Sequence, residues 1–529
     1  MADTNMLMSG ILLAASLAIA VKFIYFLLGK KSGPLPPGPK GLPLLGNIKD
    51  LPAGGQREWE HWLKHKDTYG PISSVTSLGT TLIILHSPEL ASELLEKRSS
   101  KYAARARLLF AEFIGWSNAL ALVQPSRMYR YQRKLAHMMM GTPLTVAPYL
   151  PLQEVEVHRF LFRVLQDPES FLDHIRTEAG AIILKMVYGY TIEPHKTDPL
   201  VSIADEALEQ FAAATVPGAW LVDIIPALKY IPGWMPGTGW KKTGLKWRAR
   251  LMETAGKPLQ FAQNQMARGD HKKSFVSEFY ETAGDDLSQE DEKALKWVAL
   301  SMYAGGADTT VSTIMSFFLA MTLFPEVQLK AREEIDRVIG TGRLPTYSDK
   351  DSLPYVTAIV TEAARWHPVT PMGVPRATTG DDIVNGYYIP KGAVILPAIW
   401  WFTHDPTVYP DPMKFDPSRY LGPDPAPDPM DFTFGYGRRI CPGRYLATTS
   451  IWLTVARSLA VFKISKGLDK NGREIEPDVG FSPGIISRVD PFKATIKPRS
   501  PQHDFLIRQV EKLHPWEKSD VEELNKIVM

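Results

Sequence analysis

One cysteine serves the whole chain of 529 residues, at position 441, so no fold that relies on a disulfide framework is open to it. A body of this length must be held by apolar burial, and 45% hydrophobic with 22% charged residues is ordinary globular composition for that. The formal charge of +3 is too small for the chain's size to mark a nucleic-acid-binding surface. The cysteine sits in Phe434–Gly443, FGYGRRICPG, with glycine at 435, 437 and 443 and two arginines just before it. A buried, inert thiol is the ordinary fate of a lone cysteine. Here the glycines let backbone N–H groups approach the sulfur, and such donors lower a thiol's pKa. The loop is expected to present a recessed thiolate backed by cations, which suits a soft metal centre.

A second group of unusual residues lies in a long helix expected from about Glu290 to Leu323, with Ser288 as its N-cap and Asp291 three residues on. Its interior carries AGGADTT at 304–310. Two adjacent glycines cost about 1 kcal/mol each in a helix, so the helix is expected to be thinned there for something flat or bulky. Asp308 and Thr309 put a carboxylate and a hydroxyl at the same point. A plain helix crossing would explain the glycines but not the acid–alcohol pair. Further on, Glu362 and Arg365 can pair along one helix face, and FDPSRY supplies Phe415, Pro417 and Arg419.

These landmarks, in this order and with Phe434-x-x-Gly437-x-Arg439-x-Cys441-x-Gly443, resemble the cytochrome P450 family, from the N-terminus to about Pro498. The closest likeness is to membrane-bound fungal members. The resemblance implies a mainly α fold with small β-sheets behind an N-terminal transmembrane helix. It implies haem b (iron protoporphyrin IX) with Cys441 as its metal ligand, Phe434 near the sulfur, and Gly443 in the cofactor loop. Arg439, Arg133 and Arg376 fall where the family holds the propionates, and Tyr129 stands where a tryptophan is usual. Thr309 and Asp308 would carry protons to the reacting oxygen, helped by a bend and an opened hydrogen bond in their helix. A buried Glu362–Arg365–Arg419 network would fix the approach to the cysteine loop. Phe110, Phe113, Trp116, Phe211, Val369 and Ile485 would line the pocket.

Met6–Leu28 is a run of 23 residues with one charge, Lys22, long enough to cross a bilayer core. It starts after an acidic residue and has its lysines, Lys30 and Lys31, behind it, which favours an uncleaved anchor over a signal peptide. Prolines 34, 36, 37, 39 and 43 forbid a helix in the next stretch, which is expected to be a stiff spacer. The expected domains are an anchor at 1–32, a proline-rich hinge at 33–46 and one catalytic domain at 47–529. Hairpins are expected at Ile72–Pro88, at the Asn385-Gly386 turn and, near the end, over Ile475–Val489. The proline- and tryptophan-rich stretch from 217 to 239 is either a membrane-dipping segment or a loop covering the core.

The implied function is a haem-thiolate monooxygenase that inserts one oxygen atom from dioxygen into a small apolar substrate, in fungal secondary or xenobiotic metabolism. No Gly-x-Gly-x-x-Gly fingerprint is present, so electrons must come from a partner. The family implies NADPH–cytochrome P450 reductase, with cytochrome b5 as an auxiliary, at an endoplasmic-reticulum membrane with the catalytic domain in the cytoplasm. Arg130 and Lys134 could face such a donor. An isomerase, dehydratase or peroxygenase, or a non-catalytic haem sensor, would keep the cysteine loop but would have less need of Asp308 and Thr309.

Overall fold

The computed structural model describes residues 33–216, 218–284 and 286–527. The expected membrane anchor, Met6–Leu28, lies outside them. Among the described residues no single helix is long and apolar enough to cross a membrane.

Helices dominate the body. Ser126 caps α1 (Arg127–Met140) by accepting the Tyr129 N–H at 3.1 Å. Next come α2 (Leu150–Gln166) and α3 (Phe171–Tyr188), then α4 (Pro199–Ala214), which the Asp198 carboxylate caps at the N–H groups of Leu200 and Val201. The series continues with α5 (Gly239–Arg268) and the 35-residue α6 (Gln289–Leu323). The reciprocal cap expected at α6 is present: Ser288 Oγ accepts the Asp291 N–H at 3.2 Å, and the Asp291 carboxylate accepts the Ser288 N–H at 3.1 Å. Two more long helices, α7 (Pro354–Trp366) and α8 (Arg444–Val461), complete the frame.

Burial explains why α6 sits at the centre. From Thr310 to Thr322 every residue is buried, the pattern of a helix covered on all sides. It packs against α3, α1, α7 and α8. Phe317, Phe318 and Leu319 join Phe160, Ile359, Trp452 and Leu459 in one apolar core.

The sheets are small. β1 (Ile72–Ser77) and β2 (Thr80–Leu85) form the expected hairpin, turned at Leu78 and Gly79 with φ of 48° and 85°. β3 (Ala104–Arg105) and β4 (Arg376–Ala377) belong to the same five-stranded sheet. The Asn385-Gly386 turn joins β5 (Asp382–Val384) to β6 (Tyr387–Ile389), and β7 (Val394–Pro397) runs parallel to β2. The order is β1-β2-β7-β4-β3. A second sheet pairs β8 (Phe462–Leu468) with β9 (Glu474–Ile475) and β10 (Ala494–Pro498). The hairpin expected over Ile475–Val489 does not form. Pro477, Gly480, Pro483 and Gly484 interrupt it, and a single Phe481–Val489 bridge closes a turn instead.

The proline-rich stretch is laid along the edge strand β1 instead of standing free of the body. Its prolines lack N–H donors but keep carbonyls, and the body supplies the donors. Ser74 N–H donates to Pro37 O at 2.8 Å, Ser74 Oγ to Pro36 O at 2.6 Å, and Tyr388 N–H to Pro34 O at 2.7 Å. A Cβ on Gly38 would lie 1.9 Å from Ser74 O, so only glycine allows this contact.

The Glu362 network is complete and buried. Arg365 Nε and Nη2 donate to the two Glu362 oxygens at 2.7 and 2.8 Å, and both side chains are 0% exposed. Arg419 Nε approaches Glu362 at 3.4 Å, and the Asp416 N–H and Tyr420 Oη donate to it at 2.8 and 3.0 Å. Arg365 also donates to Thr403 O at 2.9 Å, which ties α7 to the chain leading into the cysteine loop. Glu362→Gln leaves two arginines without their carboxylate and is expected to cost about 3–5 kcal/mol in denaturant-unfolding measurements.

Candidate functional site

α6, α8 and the cysteine loop enclose a cavity of about 380 Å³, and Cys441 lines it. The loop is closed by the Cys441 N–H donating to Phe434 O at 2.8 Å. Gly437 has a φ of 50°, and a Cβ there would lie 2.8 Å from Leu95 O, so the turn before the cysteine admits only glycine. A Cβ on Gly443 would stand 3.9 Å from the sulfur, so the backbone there runs close to it. Burial nevertheless pushes the Cys441 thiol above its ordinary value. The Gly443 N–H and the charges of Arg133 and Arg444 pull it down without prevailing. A metal cation bonded to the sulfur would favour the thiolate. Among the described residues no cluster of His, Cys, Asp or Glu could hold a metal ion, so a metal here would bring most of its ligands with it.

The α6 wall is thin where expected, and its two glycines have separate reasons. Nothing lies within 4 Å of a Cβ built on Gly305, which faces the cavity. A Cβ on Gly306 would stand 3.2 Å from Ile183, so this residue lets α3 pack close. The helix runs unbroken from Gln289 to Leu323, past both glycines. Thr309 lines the cavity, and its Oγ1 donates to Gly305 O at 2.7 Å. Asp308 does not line it. A helical step of about 100° turns adjacent residues to different faces, and both Asp308 oxygens accept from Arg488, at 2.7 and 2.9 Å.

Four arginines converge on the same cavity: Arg105, Arg133, Arg376 and Arg439. Arg376 donates to Leu95 O and Tyr436 O at 2.9 and 2.6 Å, and Arg133 to Ile440 O at 2.6 Å. Arg439 donates to Ala103 O at 2.8 Å and Val123 O at 2.7 Å, with its guanidinium 3.9 Å above the Tyr129 ring. Tyr129 Oη donates to the Arg438 carbonyl, so the phenol braces the cysteine loop. Burial lowers Arg376 and Arg439 each to about 10. Arg105, which sequence reasoning missed, donates to Ala121 O and Val374 O at 2.7 and 2.6 Å. Its only signal was a short apolar alternation around KYAARAR, too brief to reveal that β3 pairs with β4 and sets Arg105 directly opposite Arg376.

Of the expected pocket residues, Trp116, Phe211, Val369 and Ile485 line the cavity, as do Phe434 and Gly443. Phe110 and Phe113 do not. Phe110 stacks on Trp220 with ring centres 3.5 Å apart, and Phe113 packs on Trp240 and against Gly244 of α5.

None of the four arginines has a carboxylate partner among the described residues. Buried like charges repel, and cross-strand like pairs are destabilising unless an anion lies between them. Cations at one margin, a sulfur ligand and a helix wall without a side chain at Gly305 fit a flat, dianionic, metal-bearing macrocycle. The residues present therefore suit haem.

Sequence comparison agrees. The family model described as Cytochrome P450 matches residues 36–487. A cytochrome P450 monooxygenase of Ampulloclitocybe clavipes, claR, is 47% identical over 93% of this chain and 91% of its own. Another of Gibberella zeae, CLM2, is 47% identical over 94% of this chain and 96% of its own. The O-methylsterigmatocystin oxidoreductase of Aspergillus flavus is 39% identical over 94% and 93%. With a lone cysteine, an unneutralised ring of arginines and these relatives in agreement, the chain belongs to the cytochrome P450 family and is a haem-thiolate monooxygenase.

Proposed function

We propose that Cys441 ligates the haem iron and that Arg105, Arg133, Arg376 and Arg439 hold the two propionates. The observation that carries this reading is the convergence of four uncompensated cations and the single thiol on one cavity. When bound, the thiolate-ligated haem supplies reductive activation of dioxygen and transfer of one oxygen atom to the substrate. The protein's own residues do the rest. The closed loop orients the sulfur, with Phe434 beside it. The Thr309 hydroxyl, its proton directed at Gly305 O, offers lone pairs to a water or protonated group in the cavity. Trp116, Leu208, Phe211, Val369, Val374, Ile485 and Ile486 exclude water from a small apolar substrate.

The electron donor in this reading is NADPH–cytochrome P450 reductase, with cytochrome b5 as auxiliary. Arg130 and Lys134 on α1 are exposed and available to an acidic partner. An endoplasmic-reticulum location, single-pass with the body in the cytoplasm, draws support from the Met6–Leu28 run. Leu221, Tyr230 and Trp234, at 64, 78 and 83% exposure, together with Leu44 and Leu45, would meet the lipid surface. A place in fungal secondary metabolism is supported by a relative named for oxidising O-methylsterigmatocystin.

The test is carbon monoxide difference absorbance of the reduced protein, together with NADPH-dependent oxygen consumption in the presence of added reductase. The native protein is expected to show a thiolate-type adduct and substrate-dependent oxygen uptake, and Cys441→Ala to lose both. Turnover without oxygen would overturn the reading. Arg105→Leu and Arg376→Leu each remove charge-assisted bonds worth about 1.5–3 kcal/mol. Each is expected to weaken haem retention roughly 10- to 100-fold, read by transfer of haem to a scavenger protein.

A further inference from the structure

The turn Phe481–Val489 brings Ile485 and Ile486 to the cavity wall, although it has almost no regular structure of its own. Its shape is held locally: Ser487 Oγ donates to Ser482 O at 2.8 Å, and the Arg488 N–H to Ser482 Oγ at 2.9 Å. Its backbone is also held from outside: Arg57 Nε donates to Phe481 O at 2.9 Å, the Ser487 N–H to Val369 O at 2.8 Å and Ser312 Oγ of α6 to Ser487 O at 2.9 Å, with His367 Nε2 3.3 Å from the same carbonyl. The strongest tie is the bidentate Arg488–Asp308 pair, with side chains 26% and 7% exposed. Burial by itself would lower the Arg488 pKa, but Asp308, then Asp205 and Glu209 of α4, outweigh it and hold it above the ordinary value. One guanidinium therefore lies in the field of carboxylates from two helices while belonging to the turn.

Those three elements are walls of the cavity. α6 contributes Ala304 and Thr309, α4 contributes Leu208 and Phe211, and the turn contributes Ile485 and Ile486. We infer that Arg488 is a positioning residue for substrate selectivity, and that Asp308 serves as its anchor: the ion pair sets how far the Ile485–Ile486 wall stands from α6 and α4. The inference rests on the cavity being the site of an apolar substrate beside a haem. It gives Asp308 a role that fits where its carboxylate points, away from the cavity and towards Arg488.

The experiment uses the haem-loaded protein and two probes, imidazole and 1-octylimidazole, titrated by haem absorbance. Both bind iron through nitrogen, and only the second extends an apolar chain along the cavity. Arg488→Gln is expected to leave imidazole affinity unchanged and to weaken octylimidazole about tenfold, the scale of a lost apolar pocket contact. Arg488→Lys, which keeps the charge but loses the two-point contact, should fall between native and Arg488→Gln. Asp308→Asn should reproduce the Arg488→Gln effect, and the double variant should add nothing further. Equal weakening of both probes, or none, would overturn the inference, as would fully additive effects of the two substitutions. Haem content and the carbon monoxide adduct, measured on every variant, separate a misfolded site from a displaced wall. If Arg488→Gln does not load haem, the Lys and Asn variants decide by the same criteria. A native protein whose haem spectrum ignores imidazole would overturn the haem-site reading and this inference with it.

Discussion

Positive charge without a counter-charge is the constraint on which the interior depends. Arg105 and Arg376 face each other across paired strands, and Arg439 and Arg133 reach the same cavity from the cysteine loop and from α1. Backbone carbonyls of Ala103, Ala121, Val374 and Tyr436 receive their N–H groups. Carbonyl dipoles satisfy hydrogen bonds but leave net charge, which a low-dielectric interior tolerates poorly. In the reading proposed above, the sheet and the loop are built around the haem propionates, anions that are not part of the polypeptide. Binding them contributes to folding stability as well as to chemistry, since a ligand that binds only the folded state stabilises it by mass action.

The buried charge of Glu362 is matched within the chain, and the contrast is informative. Glu362 takes donors from Arg365, Arg419, Tyr420 and the Asp416 N–H, so every side of its carboxylate is used. A satisfied buried pair of this kind is a weak source of net stability. Its value lies in fixing where the chain runs between α7 and Phe434, because other placements would strand one of its members. The cysteine reaches the cavity at a defined point because this region cannot rearrange cheaply.

Elements with strong local signals were legible in the sequence: the Ser288 cap, the Gly79 and Asn385-Gly386 turns, the Glu362–Arg365 pair and the glycines at 305 and 306. Those that depend on tertiary pairing were not. Arg105 acquires its place only when a two-residue strand finds β4. Asp308 was read with Thr309 because the two are adjacent, yet adjacency in a helix separates side chains, and a partner 180 residues away decided its orientation. Tyr129 was read as a hydrogen-bond donor in the place of a tryptophan, but a phenol can serve several acceptors, and the Arg438 carbonyl that it reaches was invisible in the sequence. Phe110 and Phe113 carried the right chemistry for a pocket, and tryptophans of the segment after α4 and of α5 claimed them first.

The strap of prolines along β1 has a geometric consequence. Because Pro34, Pro36 and Pro37 are each held through their carbonyls, and Gly38 lies flush against Ser74, the strap has one path across the body and reaches Gly33 beside Tyr388. It thus works as a bracket, joining the edge of the five-stranded sheet to the β5–β6 hairpin, two elements that share no strand pairing of their own.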